Sequence, residues 1–187
     1  GLTPPRRHDI RRVVGLSLVE SMRVLLPDAE DKCHQDMAEH YRTAFLTLRN
    51  NGLVDEPLYD GMASLLSEMD AGGWLLGVAT GKSDRGLAAC LKTHGIADLF
   101  VSLQTADRHP SKPHPAMLEA ALFEAGAAHE QTVMIGDTSF DMIMARSIGV
   151  AAIGVGWGYH GADELLVNLV ERGLRDHRRI GGQCEHE

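Results

Sequence analysis

Long apolar runs are missing from this sequence of 187 residues. No stretch approaches the roughly 20 consecutive apolar residues that a membrane-spanning helix requires, and the first residues lack the pattern of a secretory signal. The composition is otherwise that of a folded protein, because 44% of the residues are hydrophobic and 24% are charged. We therefore expect a globular protein with one sizeable core and no membrane partner, located by default in the cytoplasm.

Cysteine is scarce, with only Cys33, Cys90 and Cys184. Three cysteines so far apart in the sequence predict neither a disulfide framework nor a zinc knuckle, and we expect reduced thiols. The ten histidines contain no pair at the i, i+4 spacing of a zinc-binding helix. Both patterns argue against a metal site built from sulfur or imidazole ligands.

Basic residues are outnumbered, since 18 lysines and arginines face 26 acidic residues and give a formal net charge of −8. Nucleic-acid binding depends on a basic surface that contacts phosphates, so this balance argues against a nucleic-acid partner. A site for a phosphorylated small molecule would need its own local positive charge.

The first third of the chain predicts helices. Apolar residues recur at helical spacing from Asp9, which can cap the helix, to Pro27, with an interruption at Gly15. A second apolar stripe at helical spacing runs from about residue 29 to residue 49. We interpret residues 1–57 as a small helical domain whose apolar faces must be buried.

After residue 58, short apolar runs alternate with helical patterns. The strand candidates are WLLGVA (74–79), LFVSL (99–103), TVMIG (132–136) and VAAIGV (150–155). Apolar strands that alternate with amphipathic helices predict a parallel sheet covered by helices on both faces. We therefore predict an α/β core over residues 58–187, with a frayed polar tail at 176–187.

Polar residues that could bind a phosphate follow the first predicted strand. Ligands of open parallel sheets lie beyond the carboxyl ends of the strands. The Thr80 hydroxyl and the Gly81 amide could bind a phosphoryl group there, beside a helix that begins at Ser83. The plainer alternative is that Thr80 and Ser83 only cap the helix.

A lysine and two aspartates could complete such a site. Lys112 lies in SKPHP and could balance the charge of a phosphate, although a single lysine is usually solvated. Asp137 and Asp141 lie in GDTSFD, close to a helix N-terminus, where carboxylates are favoured in any case. Carboxylate oxygens suit magnesium, which keeps several waters and bridges to substrate phosphate.

The motifs ATGKSDRGL, SKPHP and GDTSFDM, followed by GVGWGY (154–159), resemble the second to fourth motifs of the haloacid dehalogenase (HAD) superfamily. The similarity covers about residues 1–165 and is strongest to phosphoglycolate phosphatase-like hydrolases. The resemblance implies a Rossmann-like parallel sheet core over residues 58–187 and a small α-helical cap over residues 1–57. It also makes residues 15–17 a candidate specificity loop in the cap.

The resemblance further implies a magnesium-dependent phosphatase that acts on a small phosphorylated metabolite. By position, Thr80 and Lys112 would be catalytic and would bind the phosphoryl group together with the amide of Gly81. Asp137 would ligate Mg²⁺, and Asp141 would belong to the metal site as a supporting residue from the same loop.

The family's nucleophile motif, D-x-D-G-T after the first strand, does not occur in this sequence. Its first aspartate attacks phosphorus to form an aspartyl-phosphate, and its second acts as acid and base. The first core strand, also absent, would be central, between the strands that carry Thr80 and Asp137. We therefore expect the nucleophile upstream of Gly1, and no turnover by the 187 residues alone.

Two functions remain open. The favoured one is a phosphatase whose nucleophile lies upstream, and the alternative is a catalytically inactive HAD-like module that binds phosphate or a protein partner. A phosphomutase or a dehalogenase is less favoured, because the cap and GVGWGY stretches look more like those of phosphatases and dehalogenases do not need magnesium. The sequence does not indicate an oligomeric state.

Overall fold

The computed structural model describes residues 4–170, in which helices alternate with short strands. The helices are α1 (Arg7–Arg12), α2 (Leu18–Leu25), α3 (Asp31–Asn50), α4 (Met62–Ala71), α5 (Asp84–His94), α6 (Ala116–Ala125), α7 (Ser139–Ser147) and α8 (Ala162–Val170). The strands are β1 (Leu76–Thr80), β2 (Phe100–Thr105), β3 (Val133–Gly136) and β4 (Ala151–Gly154). This order confirms the predicted α/β class. The predicted tail at 176–187 lies outside the described residues.

The N-terminal helices follow the predicted pattern with one correction. Asp9 does not cap α1, because the N-cap is Arg6 and the Asp9 carboxylate pairs with the Arg6 guanidinium at 2.9 Å from within the first turn. The chain breaks at Gly15 as predicted, and Ser17 then caps α2 by accepting the amide of Glu20. None of the helices within residues 4–170 is long and apolar enough to cross a membrane.

α2 and α3 pack against each other as a helical pair. His34 of α3 is buried, and its Nε2 donates a hydrogen bond to the carbonyl of Leu26, 2.9 Å away, at the end of α2. The same carbonyl accepts the amide of Ala29 at 3.1 Å, so the bond from His34 adds a link between α3 and the end of α2. Ala38 is fully buried in α3, where a small side chain permits close packing.

The strands form two parallel pairs. β1 pairs with β2, up to Thr80 opposite Thr105, and β3 pairs with β4, up to Gly136 opposite Gly154. The parallel direction is as predicted, but within the described residues the two pairs do not join into one continuous sheet. The resemblance to HAD proteins implies a further strand between β1 and β3, which this sequence does not contain. Two separate pairs are therefore the expected arrangement.

Helices cover both faces of the β1–β2 pair. Val78 of β1 packs with Leu87 and Leu91 of α5, whereas the next residue, Ala79, packs with Met117 of α6. Successive side chains of a strand point to opposite faces, so α5 and α6 lie on opposite sides of this pair. The predicted covering of both faces is therefore confirmed for β1 and β2.

One apolar cluster joins the two strand pairs. Its buried members are Met117, Leu118 and Leu122 of α6, Met144 and Ala145 of α7, and Val150. Ala79 of β1, Met134 of β3 and Ala152 of β4 pack against this cluster. The shared core therefore holds β1 and β3 close to each other by apolar packing.

Glu56, between α3 and α4, links the helical region to the α/β core. Its carboxylate accepts hydrogen bonds from Arg49, at the end of α3, and from Lys82 Nζ, 2.5 Å away and just after β1. Its backbone carbonyl accepts a hydrogen bond of 2.8 Å from His94 Nε2. Partial burial alone would raise the pKa of Glu56, but hydrogen bonds and attraction from Lys82 and Arg49 outweigh burial and lower the pKa.

The lowered pKa makes the contribution of Glu56 to stability dependent on pH. This contribution is fully present above the ordinary carboxyl pKa of 4.5 and is lost as the pH falls through the lower pKa of the folded protein. We expect Glu56→Gln to lower Tm at pH 7 by roughly 2–4 °C, and the difference from wild type to shrink below pH 4.5. Thermal unfolding followed by circular dichroism at several pH values measures this effect.

The matched control is Glu119→Gln on α6, because Glu119 is exposed and makes no ion pair with a described residue. Glu119→Gln removes only the weak interaction of a first-turn carboxylate with the helix dipole, so it should change Tm less than Glu56→Gln does at pH 7. If the Tm difference between Glu56→Gln and wild type does not vary with pH, the ionised carboxylate of Glu56 is not what stabilises this connection.

Candidate active site

A cavity of about 1580 Å³ lies at the carboxyl ends of β1 and β3. Its lining includes the five predicted site residues Thr80, Gly81, Lys112, Asp137 and Asp141. Residues of the helical region, among them Met22 and Phe45, line it as well. The structure therefore brings together in one cavity all five residues that the motifs singled out.

Lys112 and Asp141 form a buried ion pair in this cavity. The lysine Nζ lies 2.5 Å from Asp141 Oδ1, and the two side chains are only 7% and 4% exposed. Lys112 is therefore not the solvated lysine of the plainer alternative. Because both charges are withdrawn from water, each depends on the other for compensation.

Asp141 also fixes the start of α7. Its Oδ2 accepts hydrogen bonds from the Thr138 hydroxyl at 2.7 Å and from the Thr138 amide at 3.3 Å, as part of a capping box. Both carboxylate oxygens of Asp141 are thus engaged by protein groups. This geometry suits the supporting role better than direct metal ligation, and the place of Asp141 in a metal site stays a prediction.

Asp137 presents a more accessible carboxylate. It is half-buried, and its Oδ2 accepts the amide of Tyr159 at 3.0 Å. Gly158 permits this approach, because a Cβ atom there would lie only 2.2 Å from the Cβ and Oδ2 atoms of Asp137. No hydrogen bond from the described residues engages Oδ1, so this oxygen can bind a cation in the cavity.

The carboxylate oxygens in the cavity suit Mg²⁺, but the described protein groups do not form a complete metal site by themselves. Within residues 4–170, no three histidine, cysteine or carboxylate side chains are placed to hold a metal ion. Mg²⁺ commonly keeps several waters and binds one or two carboxylates together with substrate phosphate. Asp137, with one carboxylate oxygen fixed and the other open, matches that demand.

Thr80 and Gly81 border the cavity at the end of β1. Thr80 Oγ1 accepts the amide of Lys82 at 3.2 Å, so the hydroxyl proton can be donated to a ligand. Ser83 is the residue that caps α5, through a hydrogen bond of 3.1 Å from the amide of Gly86. The capping alternative therefore holds for Ser83 but not for Thr80.

The loop at residues 15–17 lies against these groups. A Cβ atom at Gly81 would be 2.5 Å from the carbonyl oxygen of Leu16 and 2.8 Å from that of Gly15, so only glycine fits at position 81. The amide of Ser17 donates to Ser111 Oγ, 2.8 Å away and next to Lys112 in the sequence. The loop thus touches two of the candidate phosphate-binding segments.

Sequence reasoning missed two residues that shape this site. Glu56 carries no recognisable motif, and its link to Lys82 bridges segments that are 26 positions apart in the sequence. His160 directly follows the GVGWGY stretch, and its buried ring contacts Ser139. The position of His160 beside that motif was the one signal that could have indicated a role.

Loss of one partner of the buried pair should destabilise the fold. Lys112→Ala leaves the Asp141 carboxylate buried without a counter-charge, so we expect the free energy of unfolding to fall by about 3–5 kcal/mol in urea denaturation. The double variant Lys112→Met/Asp141→Asn should recover much of this loss, because neither charge remains. Lys92→Ala, at an exposed position on α5, is the control and should change stability by no more than about 0.5 kcal/mol.

If the single variant and the double variant lose equal stability, removal of both charges has restored nothing. The uncompensated charge would then be refuted as the explanation.

Several known proteins are similar in sequence. The chain is 35% identical over 165 residues to the probable phosphatase IndB of Dickeya dadantii, which covers 85% of this chain and 70% of that protein. It is 30% identical over 161 residues to the pyrophosphatase PpaX of Bacillus pumilus, with 86% and 71% covered. It is 32% identical over 144 residues to the phosphoglycolate phosphatase of Nitrosococcus oceani, with 75% and 64% covered.

The fold has counterparts among solved structures. The crystal structure of a hydrolase from Pseudomonas syringae matches with a TM-score of 0.77 at 22% identity, over 88% of this chain and 76% of that chain. This match confirms the predicted Rossmann-like fold. The sequence model of the haloacid dehalogenase-like hydrolases matches residues 1–155, which is most of the chain. The chain therefore belongs to the haloacid dehalogenase-like hydrolase family, as its motifs predict.

Proposed function

We propose that this protein is a magnesium-dependent phosphatase that hydrolyses a small phosphomonoester such as phosphoglycolate. The observation that carries the proposal is the buried pair of Lys112 and Asp141, which lies in one cavity with Thr80, Gly81 and Asp137. The relatives support the class of reaction, because all three are named for the hydrolysis of a phosphate or pyrophosphate bond.

The phosphoryl group would be bound at the end of β1 and beside Lys112. Thr80 can donate its hydroxyl proton, and the amide of Gly81 can donate to a second phosphoryl oxygen. The ammonium group of Lys112 has three N–H donors and uses one on Asp141. Two donors therefore remain for the phosphate and the attacking carboxylate, whose negative charges they would stabilise.

Asp137 would hold Mg²⁺ through Oδ1, while the Tyr159 amide keeps Oδ2 in place. The bound ion supplies positive charge that stabilises the phosphoryl group during transfer. Asp141 would act indirectly, because it orients the Lys112 ammonium and the Thr138 turn.

The proposed nucleophile is an aspartate on a segment upstream of Gly1. Its carboxylate oxygen attacks phosphorus, the bond to the leaving alkoxide breaks, and an acid protonates the alkoxide. Water then cleaves the aspartyl-phosphate to restore the carboxylate and release phosphate. A strand between β1 and β3, at the usual spacing of about 4.8 Å from each, would end between Thr80 and Asp137 and so deliver the nucleophile to the cavity.

The helical region up to residue 57 would serve as the cap. The loop at residues 15–17 already lies against Gly81 and contacts Ser111, so closure of this region would exclude water from the phosphoryl group. Glu56 would then help to hold the cap on the core, since its carboxylate joins Arg49 of the cap to Lys82 of the core.

A second candidate is a non-catalytic module that binds phosphate at the same residues. It is favoured by the absence of a D-x-D-G-T motif from the sequence. Such a module would bind inorganic phosphate through Thr80, Gly81 and Lys112 but would turn over no ester.

The test of the proposed function is Asp137→Asn in the natural protein. Loss of the carboxylate charge should weaken Mg²⁺ binding at least tenfold in isothermal titration calorimetry. We expect kcat for p-nitrophenyl phosphate to fall by about 100-fold, because charge at the reacting centre is stabilised less well. Asp70→Asn on α4, at an exposed position, is the control and should match wild type. An unchanged dependence of turnover on Mg²⁺ would refute the role of Asp137.

The location of the nucleophile has its own test. The 187-residue polypeptide alone should hydrolyse no p-nitrophenyl phosphate, whereas the protein purified from its natural source should be active and heavier than 20.3 kDa by intact mass spectrometry. If the natural protein has a mass of 20.3 kDa and no activity, the phosphatase proposal is refuted and the non-catalytic module is favoured.

A further inference from the structure

His160 is a buried side chain that the proposed chemistry does not use. It is 3% exposed and lies between β4 and α8, where its backbone amide donates to the carbonyl of Asp137 at 3.1 Å. Its ring packs edge-on against Phe140, with the ring centroids 5.4 Å apart. Such burial of a polar ring requires partners for both of its nitrogens.

Both ring nitrogens have partners, and the partners define the tautomer. The backbone amide of Ser139 lies 3.1 Å from Nδ1, and since an amide can only donate, Nδ1 is the unprotonated nitrogen. Ser139 Oγ lies 3.2 Å from the same nitrogen, and the Glu164 carboxylate lies farther from it, with Oε1 at 3.5 Å. Nε2 therefore carries the proton and donates it to the carbonyl of Arg12 at 3.2 Å.

The bond to Nδ1 adds a further cap to the N-terminus of α7. The capping box of Thr138 and Asp141 satisfies the amides of these two residues, but not the amide of Ser139 at the first helical position. His160 accepts the amide of Ser139. The turn that His160 fixes lies directly between Asp137 and Asp141, so its geometry sets the direction of both carboxylates.

The bond from Nε2 reaches the segment that leads into the loop at residues 15–17. Arg12 ends α1, and its guanidinium forms two hydrogen bonds with Glu164 of α8, at 2.6 and 3.1 Å. The neighbouring Arg11 donates to the carbonyl of Gly158 at 3.0 Å. His160 therefore binds a backbone group at the point where this segment crosses the α/β core.

We propose that His160 is a positioning residue that sets the Asp137 turn and the loop at residues 15–17 relative to each other. Nδ1 acts on the turn and hence on metal binding, whereas Nε2 acts on the segment that precedes the loop and hence on substrate binding. The ring itself contacts neither substrate nor metal. The expected effects on metal and substrate binding rest on the proposed function. The positioning by His160 can be tested without turnover.

Two conservative variants separate the two bonds. In His160→Asn the side-chain oxygen can take the place of Nδ1 and accept the Ser139 amide, whereas in His160→Gln the side-chain nitrogen can take the place of Nε2 and donate to Arg12. We expect His160→Gln to weaken Mg²⁺ binding about tenfold in calorimetry. His160→Asn should keep the Mg²⁺ affinity within about twofold of wild type.

Hydrogen exchange measured by mass spectrometry on the natural protein gives the second readout. His160→Gln should speed exchange at residues 138–140 but not at residues 11–17, and His160→Asn should do the reverse. In the active protein, KM for p-nitrophenyl phosphate should rise several-fold in His160→Asn and stay near wild type in His160→Gln. His129→Gln, at an exposed position, is the control and should change none of these values.

The proposal is overturned if His160→Gln and His160→Asn have the same effect on Mg²⁺ affinity and on hydrogen exchange. A lower Tm in either variant with unchanged Mg²⁺ affinity and unchanged KM would also overturn it, because His160 would then contribute only to stability. If the separation is seen in a natural protein that turns over no ester, the inference about His160 stands and the phosphatase proposal fails.

Discussion

The ion pair between Lys112 and Asp141 is the contact on which the geometry of the cavity depends. Two opposite charges that are shielded from water attract each other strongly, but each is costly without the other, so their positions are mutually fixed. Asp141 passes this constraint to the start of α7 through Thr138, and the backbone of Lys112 adjoins Ser111, which binds the amide of Ser17. One buried pair thus aligns three segments that are distant in the sequence.

Two glycines set how closely the remaining parts approach. Gly81 lets the backbone of residues 15–17 lie against the end of β1, and Gly158 lets the loop before α8 lie against Asp137. The space where a Cβ atom would be is taken at Gly81 by the backbone of residues 15 and 16, and at Gly158 by the Asp137 side chain. The motifs therefore carry geometric information in residues that have no functional group, in addition to the chemistry of their threonine, lysine and aspartates.

The sequence predicted the strand candidates and the five cavity residues because both depend on local patterns: apolar runs of strand length, and short motifs at strand ends. It could not predict contacts that depend on the folded arrangement. The bond from His160 to Arg12 spans 148 positions, and the burial of Lys112 cannot be read from a lysine that lies between a serine and a proline. Asp9 was predicted to cap α1, but the adjacent Arg6 offered its carboxylate a charged partner.

The cluster that joins the two strand pairs has a mechanical property of its own. Met117 and Met144 are fully buried at this junction, and methionine has an unbranched side chain that adapts to irregular space. These two methionines let the junction follow a small change in the separation of β1 and β3 more easily than branched side chains alone would. The site thus has rigid contacts at the carboxyl ends of its strands and a compliant layer beneath them.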